Sequence, residues 1–287
     1  MTRRIERILV AGSGVMGRGI AASFAAGGLD CAILSRDPGR LAGTLPAGVS
    51  AVGEPPSEAP DLILESIPED IDLKKDLFQR LDAAYAGRAI LASNTSCLPL
   101  DELASVVKHR DRFCGLHYFQ PAESFEFVEL IRIAETKDEV IGAVSGALAR
   151  AGKQPILLNK PVIGFLINRL QHALVHEAYH LMEEGAVEAS TVDLVLKNLM
   201  GPRMSITGIF EQKDLSGIDT HALAQLAVVP HLHHGAEPSR ICQDLHAKGD
   251  LGVKTGRGFY DWRDRDVDAV RKANADKLAR ILAIVRE

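Results

Sequence analysis

The sequence predicts an α/β protein with a doubly wound parallel sheet and a second, all-helical C-terminal domain. As far as residue 158, short apolar runs alternate with amphipathic helical segments. From residue 163 onward the chain shows long helical patterns and almost no strand signal. Because strands that alternate with helices form parallel βαβ units, the sheet is assigned to the first part. We therefore predict two domains, residues 1–160 and residues 161–287.

The first element is a strand at residues 8–11 (ILVA), followed by GSGVMGRG and an Ala-rich helical stretch at residues 20–26. Strand, glycine turn and helix in this order open a βαβ unit. An amphipathic helix is predicted at residues 73–85. The further apolar runs predict strands at residues 31–34, 62–64, 89–92, 113–116 and 156–158. Residues 43–60, rich in Pro, Gly, Ala and Glu, are predicted to form a surface loop.

The second domain is predicted from helical patterns alone. These patterns cover residues 166–184, 189–199, 222–232 and 266–286. The Ala- and Leu-rich helices are compatible with a homodimer.

Composition excludes several functional classes. The 287 residues carry a net charge of −5, and Lys and Arg are dispersed, so nucleic acid and anionic membranes are not expected partners. No apolar run approaches the ~18 residues of a membrane span. The four cysteines, Cys31, Cys97, Cys114 and Cys242, have no CxxC spacing. This favours free thiols, no metal and a cytoplasmic protein.

Gly12, Gly14 and Gly17 form a GxGxxG pattern that follows a predicted strand and opens a helix. In this context the glycines let the backbone approach a pyrophosphate, and the helix N-terminus supplies N–H donors. The first domain is therefore predicted to be an NAD(P)-binding, Rossmann-like domain.

The ribose-binding position at the end of the second strand is Ser35, followed by Arg36 and Asp37. An NAD site usually has an acid at this position. A hydroxyl followed by Arg suits a 2′-phosphate, which Asp would repel. NADP is therefore slightly favoured over NAD, with Asp37 left as a possible ribose ligand.

The stretch HYFQPAESFEFVE places His117 and Glu129 at the two ends of a loop-then-strand segment. A histidine fixed by a carboxylate is the usual general base for removing a proton from an alcohol near neutral pH. The pair is our candidate for acid–base catalysis.

Seven motifs in order extend over nearly the whole chain. They read GSGVMGRG, ESIPEDIDLKKDLF, ASNTS, GLHYFQP, VELI, GFLINR and LGVKTGRGFYDW. With these motifs the chain resembles the L-3-hydroxyacyl-CoA dehydrogenase family. The resemblance implies an NAD(P)-dependent enzyme that interconverts a 3-hydroxyacyl compound and its 3-keto form.

The resemblance also implies roles for individual residues. His117 would be the general acid/base, paired to Glu129, while Ser96 and Asn168 would hold the substrate oxygen. Glu69 and Lys74 match positions that line the nicotinamide end of the cofactor. The full cofactor-binding set that we predict is Gly12, Gly14, Val15, Met16, Gly17, Ser35, Arg36, Glu69, Lys74 and Asn94.

Three departures from the family pattern concern the CoA thioester. Family members that act on CoA have a long helical hairpin after the second strand, for which there is no room here. Gln120 replaces an Asn, and Lys160 replaces an acid before PVIGF. The substrate is therefore left open between a CoA thioester, a free β-hydroxy acid and a small non-CoA hydroxy or aldehyde acid. Lys160, Arg169 or Arg203 would pair with a free carboxylate.

Two alternatives belong to other functional classes. The segment HEAYH, with His176, Glu177 and His180, matches the HExxH pattern of zinc peptidases. The other alternative is a cofactor-binding protein without catalysis.

Overall fold

The computed structural model describes residues 4–285. The chain divides into two compact units between Leu170 and Gln171. In the first unit helices cover an eight-stranded sheet. In the second unit, the described residues form helices and two isolated β-bridges near residues 252–261. The predicted fold class is confirmed. The predicted domain limit at residue 160 lies earlier than this division and stays a prediction.

The sheet has the strand order β3-β2-β1-β4-β5-β6-β7-β8. All neighbouring strands are parallel except β6 and β7, which are antiparallel. The strands are β1 (Arg7–Ala11), β2 (Asp30–Leu34), β3 (Val49–Val52), β4 (Leu62–Glu65), β5 (Ile90–Ser93), β6 (Phe113–His117), β7 (Phe127–Arg132) and β8 (Gln154–Leu158). The carboxyl ends of β1, β4 and β5 therefore meet at one edge of the sheet, where ligands bind in open α/β sheets.

The structure corrects the sequence prediction at two strands. Residues 43–60 are not a loop throughout, because β3 pairs with β2 from Cys31↔Val49 to Leu34↔Val52. The sheet is not wholly parallel either. Only residues 118–126 connect β6 to β7, and a crossover helix needs a longer connection, so β7 turns back against β6.

Helices cover both faces of the sheet in the first unit. One face packs α1 (Val15–Ala26) and α4 (Asp138–Arg150) against the strands. The other face packs α2 (Ile71–Tyr85) and α3 (Leu100–Ala104). The sheet is thus buried on both faces, as its nearly continuous apolar strands require.

The helices of the second unit agree with the sequence patterns in part. They are α5 (Ile167–Glu183), α6 (Ala189–Val195), α7 (Gly201–Ile206), α8 (Ile209–Ser216), α9 (Ile218–Val228), α10 (Arg240–Lys248) and α11 (Val267–Val285). A π-helical turn, Leu196–Met200, joins α6 to α7. The sequence patterns did not indicate α7, α8 and α10. Arg286, the end of the last predicted helix, lies outside the described residues. Within residues 4–285, no helix has the length and apolarity needed to cross a membrane.

Candidate active site

The glycine turn after β1 has the backbone that a dinucleotide site needs. Gly12 has a φ of 130°, and a Cβ on it would lie 2.3 Å from the Ser66 carbonyl oxygen. A Cβ on Gly17 would lie 2.0 Å from the Gly12 oxygen, whereas one on Gly14 would meet nothing within 4 Å. Gly14 provides no side-chain cap to α1. Free N–H groups beside open space fit a bound pyrophosphate.

Val15 and Met16, between these glycines, differ in their surroundings. Val15 is 66% exposed at the start of α1. Met16 is half-buried and packs against the core beneath this face. Val15 is therefore available to a ligand, and Met16 supports the turn from below.

The residues after β2 provide a hydroxyl, an exposed cation and an acid that is paired with a neighbouring arginine. Ser35 is buried, and its Oγ lies 3.2 Å from Ser13 Oγ. Arg36 is exposed. The Asp37 carboxylate accepts from the Arg40 amide and pairs with the Arg40 guanidinium, both at 3.3 Å. The Asp37 carboxylate, which would otherwise be available to a ribose, is thus paired with Arg40.

His117 and Glu129 are directly opposite each other in the antiparallel ladder of β6 and β7. Opposite residues project from the same face of a sheet, so the chain brings the two side chains together. His117 Nδ1 lies 2.7 Å from Glu129 Oε2, and His117 Nε2 lies 3.1 Å from Ser96 Oγ. Since a carboxylate only accepts hydrogen bonds, Nδ1 carries a proton, and in the neutral ring the Nε2 lone pair faces Ser96.

The second oxygen of the Glu129 carboxylate binds the start of α5. Oε1 accepts from the Leu166 amide at 2.8 Å and from the Ile167 amide at 3.0 Å. The preceding residue, Phe165, has a φ of 49°, and its buried ring lies 5.5 Å from the His117 ring, centroid to centroid. One carboxylate therefore fixes both the histidine and the turn that leads into α5.

Burial and hydrogen bonding oppose each other at Glu129. The side chain is fully buried, which alone would raise its pKa, but the hydrogen bonds from His117 and from the Ile167 and Leu166 amides outweigh burial. The pKa of Glu129 is lowered as a result. The group is a carboxylate near neutral pH.

The turn after β5 presents Ser96 to the histidine. Glu69 Oε1 accepts from Thr95 Oγ1 at 2.5 Å, from the Ser96 amide at 2.9 Å and from the Cys97 amide at 3.2 Å. Burial would raise the pKa of Glu69, but the hydrogen bonds from Thr95 and the Ser96 amide, together with Lys74, lower it. The glutamate thus organises the turn as an anion.

Two asparagines tie the same turn to other elements. Asn94 Oδ1 accepts from the Tyr118 amide at 2.8 Å, which ties the turn to the end of β6. Asn168 Nδ2, in the first turn of α5, donates to the Ser96 carbonyl at 3.2 Å. His117, Glu129, Ser96 and Asn168 therefore come together, as the resemblance implied.

Lys74, which the resemblance assigns to the nicotinamide end of the cofactor, contacts acceptors of the protein in this structure. Its side chain is 1% exposed, and its ammonium contacts Glu65, Glu69 and the Ile67 carbonyl. All three N–H donors of the ammonium therefore have acceptors within the protein. Sequence patterns did not single out Glu65, although an acid at the end of an apolar strand was a visible signal.

The three residues predicted to pair with a free carboxylate of the substrate are divided between the two units. Lys160 and Arg169 belong to the first unit, and Arg203 belongs to the second. Arg169 donates to the Ile163 carbonyl at 3.3 Å, and Lys160 is exposed, as is Gln120.

The HEAYH side chains are engaged within the second unit. His176 Nε2 bonds to the Gly235 carbonyl at 2.9 Å, and Glu177 accepts from the His233 amide at 2.8 Å. The His180 ring stacks on His233. In the part of the chain that the structure describes, no group of three His, Cys, Asp or Glu residues is arranged to hold a metal ion. These contacts attach the segment after α9 to α5.

Two family models match consecutive parts of the chain. The NAD binding domain of 3-hydroxyacyl-CoA dehydrogenase matches residues 56–161, and the C-terminal domain of the same family matches residues 164–262. The first match includes the turn with Ser96 and the pair of His117 and Glu129, and the second includes Asn168.

Individual proteins agree with these matches. The probable 3-hydroxybutyryl-CoA dehydrogenase of Bacillus subtilis is 30% identical over 91% of this chain and 99% of its own. The 5-formyl-3-hydroxy-2-methylpyridine 4-carboxylate 5-dehydrogenase of Mesorhizobium japonicum is 26% identical over 98% of both chains. A crystal structure of an enzyme with this activity, described as an NAD+ dependent dismutase, has the same fold. It superposes with a TM-score of 0.90 at 24% identity, covering 98% of this chain and 99% of that one. The chain belongs to the 3-hydroxyacyl-CoA dehydrogenase family of NAD(P)-dependent oxidoreductases.

Proposed function

We propose that this protein interconverts a 3-hydroxyacyl compound and its 3-keto form, with His117 as general acid/base. The observation that carries the proposal is the hydrogen-bonded series Ser96 Oγ, His117 Nε2, His117 Nδ1 and Glu129 Oε2, at 3.1 and 2.7 Å. A basic nitrogen beside a hydroxyl, oriented by an ionised acid, suits proton removal from an alcohol. The bound nicotinamide cofactor supplies the hydride chemistry.

Each side chain has a defined task in this proposal. In oxidation His117 Nε2 takes the hydroxyl proton, and Glu129 stabilises the imidazolium that forms. In reduction the same nitrogen returns the proton. Ser96 and Asn168 hold the substrate oxygen, and their dipoles favour the charge that develops on it.

A second, narrower candidate is a dehydrogenase for a small hydroxy or aldehyde acid without CoA. The segment between β2 and β4 favours it. This segment contains a 3₁₀ turn (Pro38–Leu41) and β3, with no α-helix to clamp a CoA moiety. Its only cations are Arg36 and Arg40, against Asp37, Glu54, Glu58 and Asp61. The Mesorhizobium relative, similar over 98% of this chain, is named for a pyridine carboxylate without CoA.

The experiment is a comparison of kcat/KM for acetoacetyl-CoA, acetoacetate and a panel of small aldehyde and hydroxy acids. We expect the free acids to be the better substrates. A clear preference for acetoacetyl-CoA contradicts the narrower candidate and retains the first. No turnover on any compound would favour the cofactor-binding protein without catalysis.

We propose NADP as the preferred cofactor, because the exposed Arg36 is free to meet a 2′-phosphate while Asp37 is paired with Arg40. Gly12, Gly14, Val15 and Gly17 would cradle the pyrophosphate, with Met16 supporting the turn. Glu69 and Asn94 would shape the nicotinamide end.

We propose that the protein is a cytoplasmic homodimer formed through its helical unit. No residue of α6–α11 is buried within the described chain. The side chains of Ile206 and Phe210 are 86% and 83% exposed, and several leucines of α8 and α9 are more than half exposed. Such continuous apolar surface is unusual on a monomer and suits a second copy of the chain.

Sedimentation velocity of the protein and of the Ile206→Asp/Phe210→Asp variant tests the assembly. We expect a dimer that the double substitution dissociates. A monomeric wild-type protein contradicts the proposal.

A further inference from the structure

Beneath the candidate site lies a buried ion pair to which the proposed chemistry assigns no task. Glu65, at the end of β4, is 0% exposed, and Lys74, on α2, is 1% exposed. Their charged atoms are 2.5 Å apart. The Lys74 ammonium also contacts Glu69 Oε2 at 3.1 Å and the Ile67 carbonyl at 3.3 Å. All three donors of the ammonium are used by protein acceptors.

Burial raises the pKa of Glu65, and hydrogen bonds from Lys74, Ser93 and the Ile67 amide oppose that effect by favouring the anion. Its Oε1 accepts from Lys74 and from the Ile67 amide at 2.8 Å, and its Oε2 accepts from Ser93 Oγ at 2.7 Å. The Ser93 oxygen in turn accepts from the Thr95 amide at 3.2 Å. Its hydroxyl proton is therefore free to go to the carboxylate. Every neighbour donates to Glu65, which is the arrangement of an ionised group.

Stability alone is a weak reason for this pair. Removing two charges from water costs about as much as their attraction returns, and apolar replacements of such pairs are often neutral or stabilising. A buried pair at the carboxyl ends of the central strands therefore suggests a positional role.

Two routes connect the pair to the turn that presents Ser96. In the first, Glu65 binds Ser93, whose oxygen holds the Thr95 amide. In the second, Lys74 binds Glu69, whose other oxygen holds Thr95 and the Ser96 amide. Both routes end within one residue of the hydroxyl that contacts His117.

We propose that Glu65 and Lys74 are positioning residues that fix the turn at residues 93–97 and, through it, the contact between Ser96 and His117. Lys74 also acts on the cofactor end of the site through its contact with Glu69. This inference rests on the proposed function for its kinetic consequence, but its structural consequence is independent of any substrate.

The test replaces the pair by apolar side chains of similar length. Lys74→Met leaves Glu65 as a buried charge without its ion-pair partner, and Glu65→Met leaves Lys74 with Glu69 as its remaining acid, so each is expected to lower Tm. The double variant leaves no charge unpaired in the pair and is expected to recover part of that loss, while the Ile67 amide and Ser93 Oγ lose their acceptor. Its kcat should nevertheless fall roughly ten- to hundredfold, since small displacements in a site are costly to turnover. The KM for substrate should change less than kcat.

Two readouts separate positioning from a structural role. The side-chain 15N resonances of His117 report the hydrogen bond at Nε2, and they should shift in the double variant. Asp82→Leu serves as the matched control, because Asp82 is another buried acid on α2, bonded to the Lys108 amide and His109 at 2.8 Å. It should lower Tm and leave both kcat and the His117 resonances unchanged.

A double variant with wild-type kcat and unchanged His117 resonances overturns the inference. If that variant does not fold, Glu65→Gln, which keeps the size of the side chain, is measured in its place with the same expectations. An inactive wild-type protein counts against the proposed function only, because the resonances still test the positioning.

Discussion

Replacing Glu129 with Gln changes one atom and should nearly abolish turnover without unfolding the protein. In the wild type, one carboxylate oxygen accepts from His117 Nδ1 and the other from the Leu166 and Ile167 amides. A glutamine satisfies the two amides with its carbonyl oxygen, and its NH2 group then faces Nδ1. Since Nδ1 must now accept, the proton moves to Nε2, and that nitrogen loses the lone pair it needs as a base.

The magnitude follows from this change of tautomer. Amide replacement of the acid that orients a catalytic histidine costs roughly 10³- to 10⁴-fold in kcat. At 1.36 kcal/mol per tenfold, that is about 4 to 5 kcal/mol of transition-state stabilisation. Folding should change by less than about 1 kcal/mol, because every donor keeps a partner.

The assay combines steady-state turnover, followed by the absorbance of the reduced nicotinamide, with urea unfolding. Glu129→Ala is the companion variant. It leaves His117 Nδ1 and the Leu166 and Ile167 amides without an acceptor, so it should lose about 3 kcal/mol or more of stability. Glu129→Gln with kcat within about threefold of wild type would refute the assigned tautomer and the role of the acid.

Three further predictions concern the cofactor, the thiols and acid stability. Arg36→Ala should reduce the preference for NADP over NAD by roughly tenfold, measured as the ratio of kcat/KM values, and an unchanged ratio argues against a 2′-phosphate contact. Burial raises the pKa of Cys31 and of Cys114 to about 12, so a disulfide reagent at neutral pH should label neither until the chain unfolds. Labelling of either in the native protein contradicts the burial. Because the folded-state pKa of Glu129 is lowered, its stabilising contribution is present above its ordinary value of 4.5 and is lost as pH falls through the lowered value. The stability difference between wild type and Glu129→Ala should therefore shrink only below about pH 4.5, and shrinkage above that pH contradicts the assignment.

The sequence predicted the elements whose patterns are local. The glycine turn after β1 and the alternation of strands and helices are features of short windows, and the structure has both. The four-residue strand β3 was not predicted, because it is short and its neighbours are rich in Gly and Pro. The antiparallel direction of β7 was not predicted, because it follows from the short connection between β6 and β7 and not from the apolar pattern of the strand itself. The short helices α7, α8 and α10 lack the long periodicity that indicates a helix.

In the candidate site, too, some features follow from local sequence patterns and others depend on contacts between distant residues. His117 and Glu129 were suggested by their chemistry, and their meeting follows from the register of two adjacent strands. Ser96 and Asn168 came only from the family resemblance, since no local pattern indicates that Asn168 contacts a residue 72 positions earlier. The burial of Lys74 against Glu65 was not visible in the sequence. Such a contact depends on how the end of β4 packs on α2, which composition and periodicity do not encode.

The measurement that tests the central claim most directly uses the His117→Gln variant. Cofactor affinity is measured by quenching of protein fluorescence, and turnover is measured with the best substrate from the panel. The proposed mechanism predicts an unchanged Kd for the cofactor and a kcat lower by roughly 10³-fold or more, because only the proton transfer at Nε2 is lost. A variant that turns over at close to the wild-type rate would show that another group handles the proton.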